Sequence, residues 1–390
     1  LETPSKPIRS TAPNADYISV RLQIQNGSIK LRANLNIARR SQHHRGQRPE
    51  MTNLTSRILE FDDASQVIED YFDRGWTDGL PIVPPSQDRV REFLDAAHRS
   101  PSDVIGAEPT KGRVITAEKV AVNAVMAGCR PEYFPVVATA VEAMCEPEFN
   151  LHAITASTMG AAVLMVVGGP VVSEIGINSG VSVFGPGHRA NATIGRAIRL
   201  VIINATGSSS GEIDKATLGH PGKYTWCMAE DTNVSPWEPL HVERGLSENE
   251  SAVTIFAALS GIQVANHESE SPRDILNSFR DGMFAIGARH GELNIVLCPE
   301  HIGHFRAAGW TKNQVKQTLF ELAQRTEAEW RTEGQVLPES DDSSQMISTA
   351  SKPENINVLV AGGAAGAFSS IIPLWTAGNG TRSVTKRIKF

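Results

Sequence analysis

The stretch over residues 181–207, VSVFGPGHRANATIGRAIRLVIINATG, constrains this fold more than any other. It reads as a short apolar strand over 181–184, a tight loop Gly185-Pro186-Gly187-His188-Arg189, and a helix. Ile194, Ala197, Ile198, Val201 and Ile202 recur at the spacing of one buried helix face. Glycines let backbone N–H groups approach a ligand closely, and a helix N-terminus adds unpaired donors. Gly185, Gly187, Arg189, Asn191 and Arg196 are therefore expected to hold a small anion, with His188 beside them for proton transfer. The loop lacks the third glycine of the dinucleotide fingerprint and the Gly-Lys-Ser/Thr of a P-loop, so no recognised motif requires a cofactor. The competing reading is a strand-to-helix turn whose glycines serve geometry alone.

Strand-like and helix-like segments alternate along the chain. The expected class is α/β, with a mixed, largely parallel sheet flanked by helices and a small C-terminal βα unit. Residues 1–50 read as a leader or appendage, rich in Arg and poor in acid. Inside it, Asn26-Gly27 between two alternating runs signals a β-hairpin with Ile24 opposite Ile29 and Leu22 opposite Leu31. Residues 51–331 read as the main domain, 332–355 as a linker or surface loop, and 356–390 as a closing βα segment. A helix is expected from Thr311 to about Trp330, and a short helix or turn from Phe368.

A net charge of −6 argues against nucleic acid as the main partner. No uncharged apolar run reaches the roughly 18 residues of a membrane span. Cys129, Cys145, Cys227 and Cys298 are far apart and form no CxxC pair, which speaks against a zinc knuckle or a disulfide scaffold. Free thiols in the cytoplasm are the simpler expectation; an Arg-rich leader offers the mitochondrion as the alternative.

Four further segments carry chemistry-bearing residues. Asp78 lies in GWTDGLPIVPP, a proline-stiffened loop suited to lining a pocket or to a structural turn. Cys129 stands beside Arg130 just before a helix start, two features that favour thiolate. Residues 217–245 hold His220, Lys223, Cys227, His241 and Glu243. Alternation of His241 and Glu243 predicts one face of a strand, suited to acid–base work or to one side of a metal site. Cys298-Pro299-Glu300-His301-Ile302-Gly303-His304 follows a buried strand, where a catalytic carboxylate or histidine is plausible.

GWTDGLPIVPP, NAVMAGCRPEYFPVV, GPGHRANATIGRA, HPGKYTWCMAED, SPWEPLHVERG and LCPEHIGHFRAAGWTK together resemble a family associated with small UGSC-motif (seleno)proteins. VLVAGGAAGAFSS is similar to segments of that group, and the resemblance covers about residues 65–390. The chain has no UGSC tetrapeptide. If selenol or thiol redox chemistry is the family's, the resemblance implies that a partner supplies it or that Cys129 or Cys227 does.

The expected function is an enzyme acting on a small anionic organic substrate, as lyase, hydrolase or thiol-dependent oxidoreductase. Gly185, Gly187, Arg189, Asn191, Arg196, Lys223 and Asp78 would bind it. Cys129, Cys227, His188, His220, His241 and Glu243 would carry the chemistry. Two alternatives stand beside it. One is a non-catalytic subunit whose Trp226, Trp237 and Trp310 dock a small redox protein. The other is a metallohydrolase built on His241, Glu243, His301 and His304. A homo-oligomer is compatible with each.

Overall fold

The structure is a computed structural model that describes residues 53–288, 291–337, 342–376 and 381–390, with the backbone of three short strands, Ile18–Val20, Ile24–Gln25 and Ser28–Ile29. Around Asn26-Gly27, Ile24 pairs with Ile29, the register expected of a two-residue turn. The expected Leu22–Leu31 pair lies outside the described residues.

Local sequence signals place most helices. Asp63 accepts from the N–H groups of Ser65 and Gln66 and starts α1 (Ala64–Asp73). Ser86 caps α2 (Gln87–Ala96), and Thr116 caps α3 (Ala117–Met126). Next come α4 (Phe134–Met144) and α5 (Arg189–Thr206), which ends at Gly207 with φ +71°. A left-handed C-cap of this kind suits a residue without Cβ. The later helices are α6 (Leu240–Glu243), α7 (Pro272–Ile286), α8 (Pro299–Ala307) and α9 (Lys312–Leu322). Among the described residues no helix is long and apolar enough to cross a membrane.

Eight strands build two four-stranded sheets. They are β1 (Ala162–Gly168), β2 (Cys227–Ala229), β3 (Ala252–Ala258), β4 (Ile262–Ala265), β5 (Leu293–Leu297), β6 (Ile356–Val360), β7 (Phe368–Pro373) and β8 (Val384–Arg387). The first sheet has the order β8-β3-β1-β2, the second β4-β7-β5-β6. Both are mixed: β1–β2 and β5–β6 are parallel, while β1–β3, β3–β8, β4–β7 and β5–β7 are antiparallel. The α/β class stands, but antiparallel pairs outnumber parallel ones, against the expectation of a largely parallel sheet.

The strands β1, β3, β5 and β6 are covered on both faces and read as near-continuous apolar runs, whereas the edge strands β4 and β8 are partly exposed. On β1, Val163, Met165 and Val167 pack with residues of α3, α4 and α5, whereas Leu164 and Val166 face the second sheet. On the second sheet, Ile295, Val358 and Ile371 pack against α7, α8 and α9, whereas Val296, Leu359 and Ile372 face the first. The result is four layers, helices–sheet–sheet–helices. Burying a side chain such as Leu164, fully enclosed between the sheets, stabilises the fold by about 1.5–3 kcal/mol.

The sheets join at one corner. Leu259 N–H donates to Pro373 O at 2.8 Å and Trp375 N–H to Ala257 O at 2.7 Å. The end of β7 therefore leaves the second sheet and pairs with the end of β3 in the first. β3 itself bends through Ser260-Gly261 into β4.

Three expectations are corrected. Residues 181–184 form turns, not a strand, because the Asn178 side chain captures the backbone of Gly180 and Val181 before a ladder can form. The helix expected from Thr311 to Trp330 breaks at Ala323: Gln324–Thr326 is a short strand paired with Met346–Ser348, and a new helix, Glu327–Thr332, starts from a capping box of Thr326 and Glu329. Phe368 opens β7, so the C-terminal segment is made of strands, without the helix of a βα unit.

Candidate functional site

A cavity of about 620 Å³ opens near the sheet corner. One wall is Phe184, Gly185, Pro186 and the first turn of α5, with Asn191 and Ala192. Another is the segment entering β2: His220, Gly222, Thr225, Trp226 and Cys227. The rest comes from Ser260, Gly261 and Gln263, from Val296 on β5, from Ala361 and Gly362 just past β6, and from Phe368, Ser369 and Ser370 on β7. Crevices outside the carboxyl ends of strands are common ligand sites in α/β folds.

The first two walls approach closely because Gly195 has no side chain. A Cβ there would lie 2.4 Å from Thr225 Oγ1 and 2.6 Å from Trp226 N. Thr225 Oγ1 donates to Ala192 O at 2.8 Å. Asn191 is buried and ties three pieces together: its Oδ1 accepts from Asn178 N–H at 2.8 Å, and its Nδ2 donates to Asn178 O at 2.9 Å and Cys227 O at 3.0 Å. Asn191 is thus a staple of the wall, with its amide already occupied.

The cations expected to grip an anion are engaged by protein groups. Arg196 donates from Nε to Asp78 Oδ2 at 2.7 Å and from Nη2 to Asp78 Oδ1 at 2.8 Å, and also reaches Pro81 O at 2.9 Å. That pair pins the 75–85 loop to α5, so Asp78 and Arg196 are structural partners. Arg189 donates to Gly128 O through Nη2 at 2.9 Å. Lys223 Nζ lies 2.7 Å from Asp214 Oδ2, and burial lowers its pKa despite that partner. Of the loop glycines, Gly185 lines the cavity and Gly187 does not, and His188 is the N-cap of α5 without a side-chain cap bond.

The thiol expectations change most. Cys129 is buried and its Sγ faces Thr193 O at 3.2 Å; burial pushes its thiol up to about 12, overriding the helix start and Arg130 that predicted thiolate. Burial, then the neighbouring Cys129, pushes Cys227 up as well. Both are neutral thiols at neutral pH.

His241 and Glu243 lie on helix α6, not on a strand, so two positions apart they face different ways. Glu243 forms ion pairs with Lys312 at 3.0 Å and with Lys316, whose charges outweigh burial and hold its carboxyl below the usual range. His241 is buried against Gly168, and neither ring nitrogen has a hydrogen-bond partner among the described residues. Among the described residues no group of three or more His, Cys, Asp and Glu side chains is placed to hold a metal. That separates the members of the expected metallohydrolase set. The expected aromatic wall is separated too: Trp226 lines the cavity, whereas Trp237 and Trp310 pack on Phe305.

His220 sits in the cavity wall with its ring against Trp226, 5.4 Å between centroids. Its Nε2 faces Ala258 O at 3.3 Å and must carry the proton there, which leaves Nδ1 as an acceptor. Burial lowers its pKa, so the ring is neutral at neutral pH.

Comparison with known proteins gives no match to a family model, a curated protein or a solved structure.

One cluster joins His301, expected as a catalytic histidine or metal ligand, to Cys298 and Ser369, to which no role was assigned. Cys298 follows β5 directly and is the N-cap of α8, with Pro299 at the first helical position. His301, one turn on, is buried; its Nδ1 lies 2.7 Å from Ser369 Oγ and its Nε2 3.0 Å from Asn266 O. Ser369 lines the cavity and accepts from Cys298 N–H at 3.0 Å. Burial pushes the Cys298 thiol up, but the hydrogen bonds of His301 and Ser369 outweigh it and leave the thiol below its ordinary value. Burial likewise pulls His301 down, and its contacts with Cys298 and Asn266 O more than reverse that. The pattern Cys-Pro-x-His after an apolar strand carried this signal in the sequence.

Proposed function

We propose that this chain is an enzyme acting on a small organic substrate, held in the cavity near the sheet corner and transformed by cysteine and histidine chemistry. The observation that carries this reading is the convergence of Gly185, His220 and Cys227, distant in sequence, on one cavity of about 620 Å³. That volume falls within the roughly 300–1,000 Å³ of small-molecule sites. His220 is the general base of this reading: neutral, anchored through one ring nitrogen, with the other free to take a proton. An anionic group on the substrate is best received at the first turn of α5, beside Gly185, since Arg189, Arg196 and Lys223 have protein partners. The cysteines are free thiols, which fits a reducing compartment such as the cytoplasm.

The test is a screen of small carboxylates and phosphates by thermal shift and protein-observed NMR. It compares the unmodified chain with Ala192→Trp, which fills the cavity from α5. Ligands that shift the former and not the latter are expected. Equal shifts in both, or no binder at all, would overturn the reading.

A further inference from the structure

We propose that the reactive thiol of this protein is Cys298, held as a thiolate against His301 by Ser369, and that it adds to the carbonyl carbon of a small substrate in the cavity. The inference deepens the function proposed above and rests on that reading of the cavity.

The geometry begins with His301. Its Nε2 points at the Asn266 carbonyl, 3.0 Å away, and a carbonyl only accepts, so Nε2 carries a proton in every state of the ring. Nδ1 is then the titrating atom, and it faces Ser369 Oγ at 2.7 Å. The same Oγ already accepts the Cys298 N–H at 3.0 Å, so its own hydrogen is free to turn. With His301 neutral, the Ser369 hydroxyl donates to Nδ1. With His301 protonated, Nδ1–H donates to Oγ and the hydroxyl donates to the Cys298 sulfur. Ser369 thus links the two states of a thiol–imidazole pair.

The surroundings favour the charged state. Cys298 occupies the N-cap of α8, where unpaired N–H groups and the helix dipole stabilise an anion. Glu300, on the same first turn, adds a negative charge that favours imidazolium, while its Oε2 accepts from Gly366 N–H at 2.9 Å. Phe279 packs edge-on against the His301 ring at 6.3 Å and limits water there. The cluster meets the cavity through Ser369 and its neighbours Phe368 and Ser370.

A thiolate beside an imidazolium supplies both things a carbonyl addition needs. The sulfur forms a bond to the carbonyl carbon as the C=O π pair moves to oxygen. That oxygen takes the hydroxyl proton of Ser369, which the Nδ1 proton of His301 replaces, giving a hemithioacetal, an intact serine and a neutral imidazole. No electron is gained or lost and no further reactant is consumed. Neither Cys129 nor Cys227 can begin this step at neutral pH, because burial keeps both protonated.

The experiment is an ultraviolet thiolate titration of the full chain, read as the difference from Cys298→Ser. The expected midpoint lies below that of a free thiol, roughly 8.5. His301→Gln should move it up, and His220→Gln should leave it in place. A midpoint at or above the free value, or one indifferent to His301→Gln, overturns the assignment of Cys298. Glyoxylate is the carbonyl probe: it should bleach the thiolate band saturably, and no bleaching overturns the carbonyl class. Cys298→Ser keeps the cavity intact. If carboxylates and phosphates still bind it while the titration fails, the thiol assignment is wrong and the cavity reading stands; if they do not bind, the cavity reading itself has failed.

Discussion

Arg196 holds Asp78 through two parallel hydrogen bonds of 2.7 and 2.8 Å, joining residues 118 positions apart with the carboxylate side chain only 2% exposed. Two residues that the sequence offered separately for substrate binding form the clasp that seats the 75–85 loop on α5. Breaking one side leaves a buried charge unpaired. Arg196→Met should therefore cost about 3–5 kcal/mol in urea unfolding. The double variant Asp78→Asn/Arg196→Met should recover much of that. A single-variant loss below about 1 kcal/mol would show that the clasp contributes little.

The buried histidine of α6 gives the fold a defined acid response. His241 has its pKa lowered, chiefly by burial, so the unfolded chain binds its proton more readily than the folded one. Its contribution is fully present above the unfolded value of about 6.5 and is lost as pH falls below it. Urea midpoints should drop between about pH 7.5 and 5 more steeply in the unmodified chain than in His241→Gln. Equal slopes would exclude this residue. His301 works in the opposite sense: its pKa is raised, so its contribution is present at low pH and fades as pH rises through the folded value.

Gly195→Ala tests the close approach of α5 to the β2 entry. The new methyl would lie 2.6 Å from the Trp226 backbone nitrogen, which cannot swing aside as a side chain can. Overpacking of this kind costs about 1–3 kcal/mol, and it should also displace the cavity wall that bears Trp226 and Cys227. The expected result is a lower unfolding midpoint together with weaker ligand shifts in NMR. An unchanged midpoint would mean that the two segments separate without cost.

Thr326→Ala tests the helix restart. Thr326 Oγ1 accepts from Glu329 N–H at 3.2 Å while Glu329 Oε2 accepts from Thr326 N–H at 2.8 Å. Losing this box should cost about 1 kcal/mol in unfolding. The same loss from Ala328→Gly, with Thr326→Ala neutral, would show that helix propensity matters there and the cap does not.

Much of the architecture was legible in the sequence because it rests on local signals. Asp63, Ser86 and Thr311 announced their helices as caps, and the apolar runs of β1 and β5 announced buried strands. Thr326-x-x-Glu329 also carried a stop-and-restart signal inside what looked like one long helix. Pairing partners carry no such local mark. Nothing near Arg196 or Lys223 says that Asp78 and Asp214 will occupy them, and sequence alone therefore left both free for a substrate. Cys129 illustrates competing effects. Its helix start and Arg130 are visible in the sequence, but the burial that outweighs them, and outweighs the contact with Thr193 O as well, comes from the helices packed around it. Cys298 and His301 lie one helical turn apart, yet Ser369 and Asn266, which set their proton states, come from other elements of the fold.

The most direct measurement is alkylation of the four cysteines in the folded chain by neutral iodoacetamide, followed peptide by peptide by mass spectrometry from about pH 6 to 9. Cys298 should react first at the acid end, and Ala192→Trp should slow it by filling the cavity. Cys129, Cys145 and Cys227 should lag across the range, because burial raises all three thiols. Labelling of Cys129 or Cys227 ahead of Cys298, or labelling of Cys298 only after unfolding, would contradict the account.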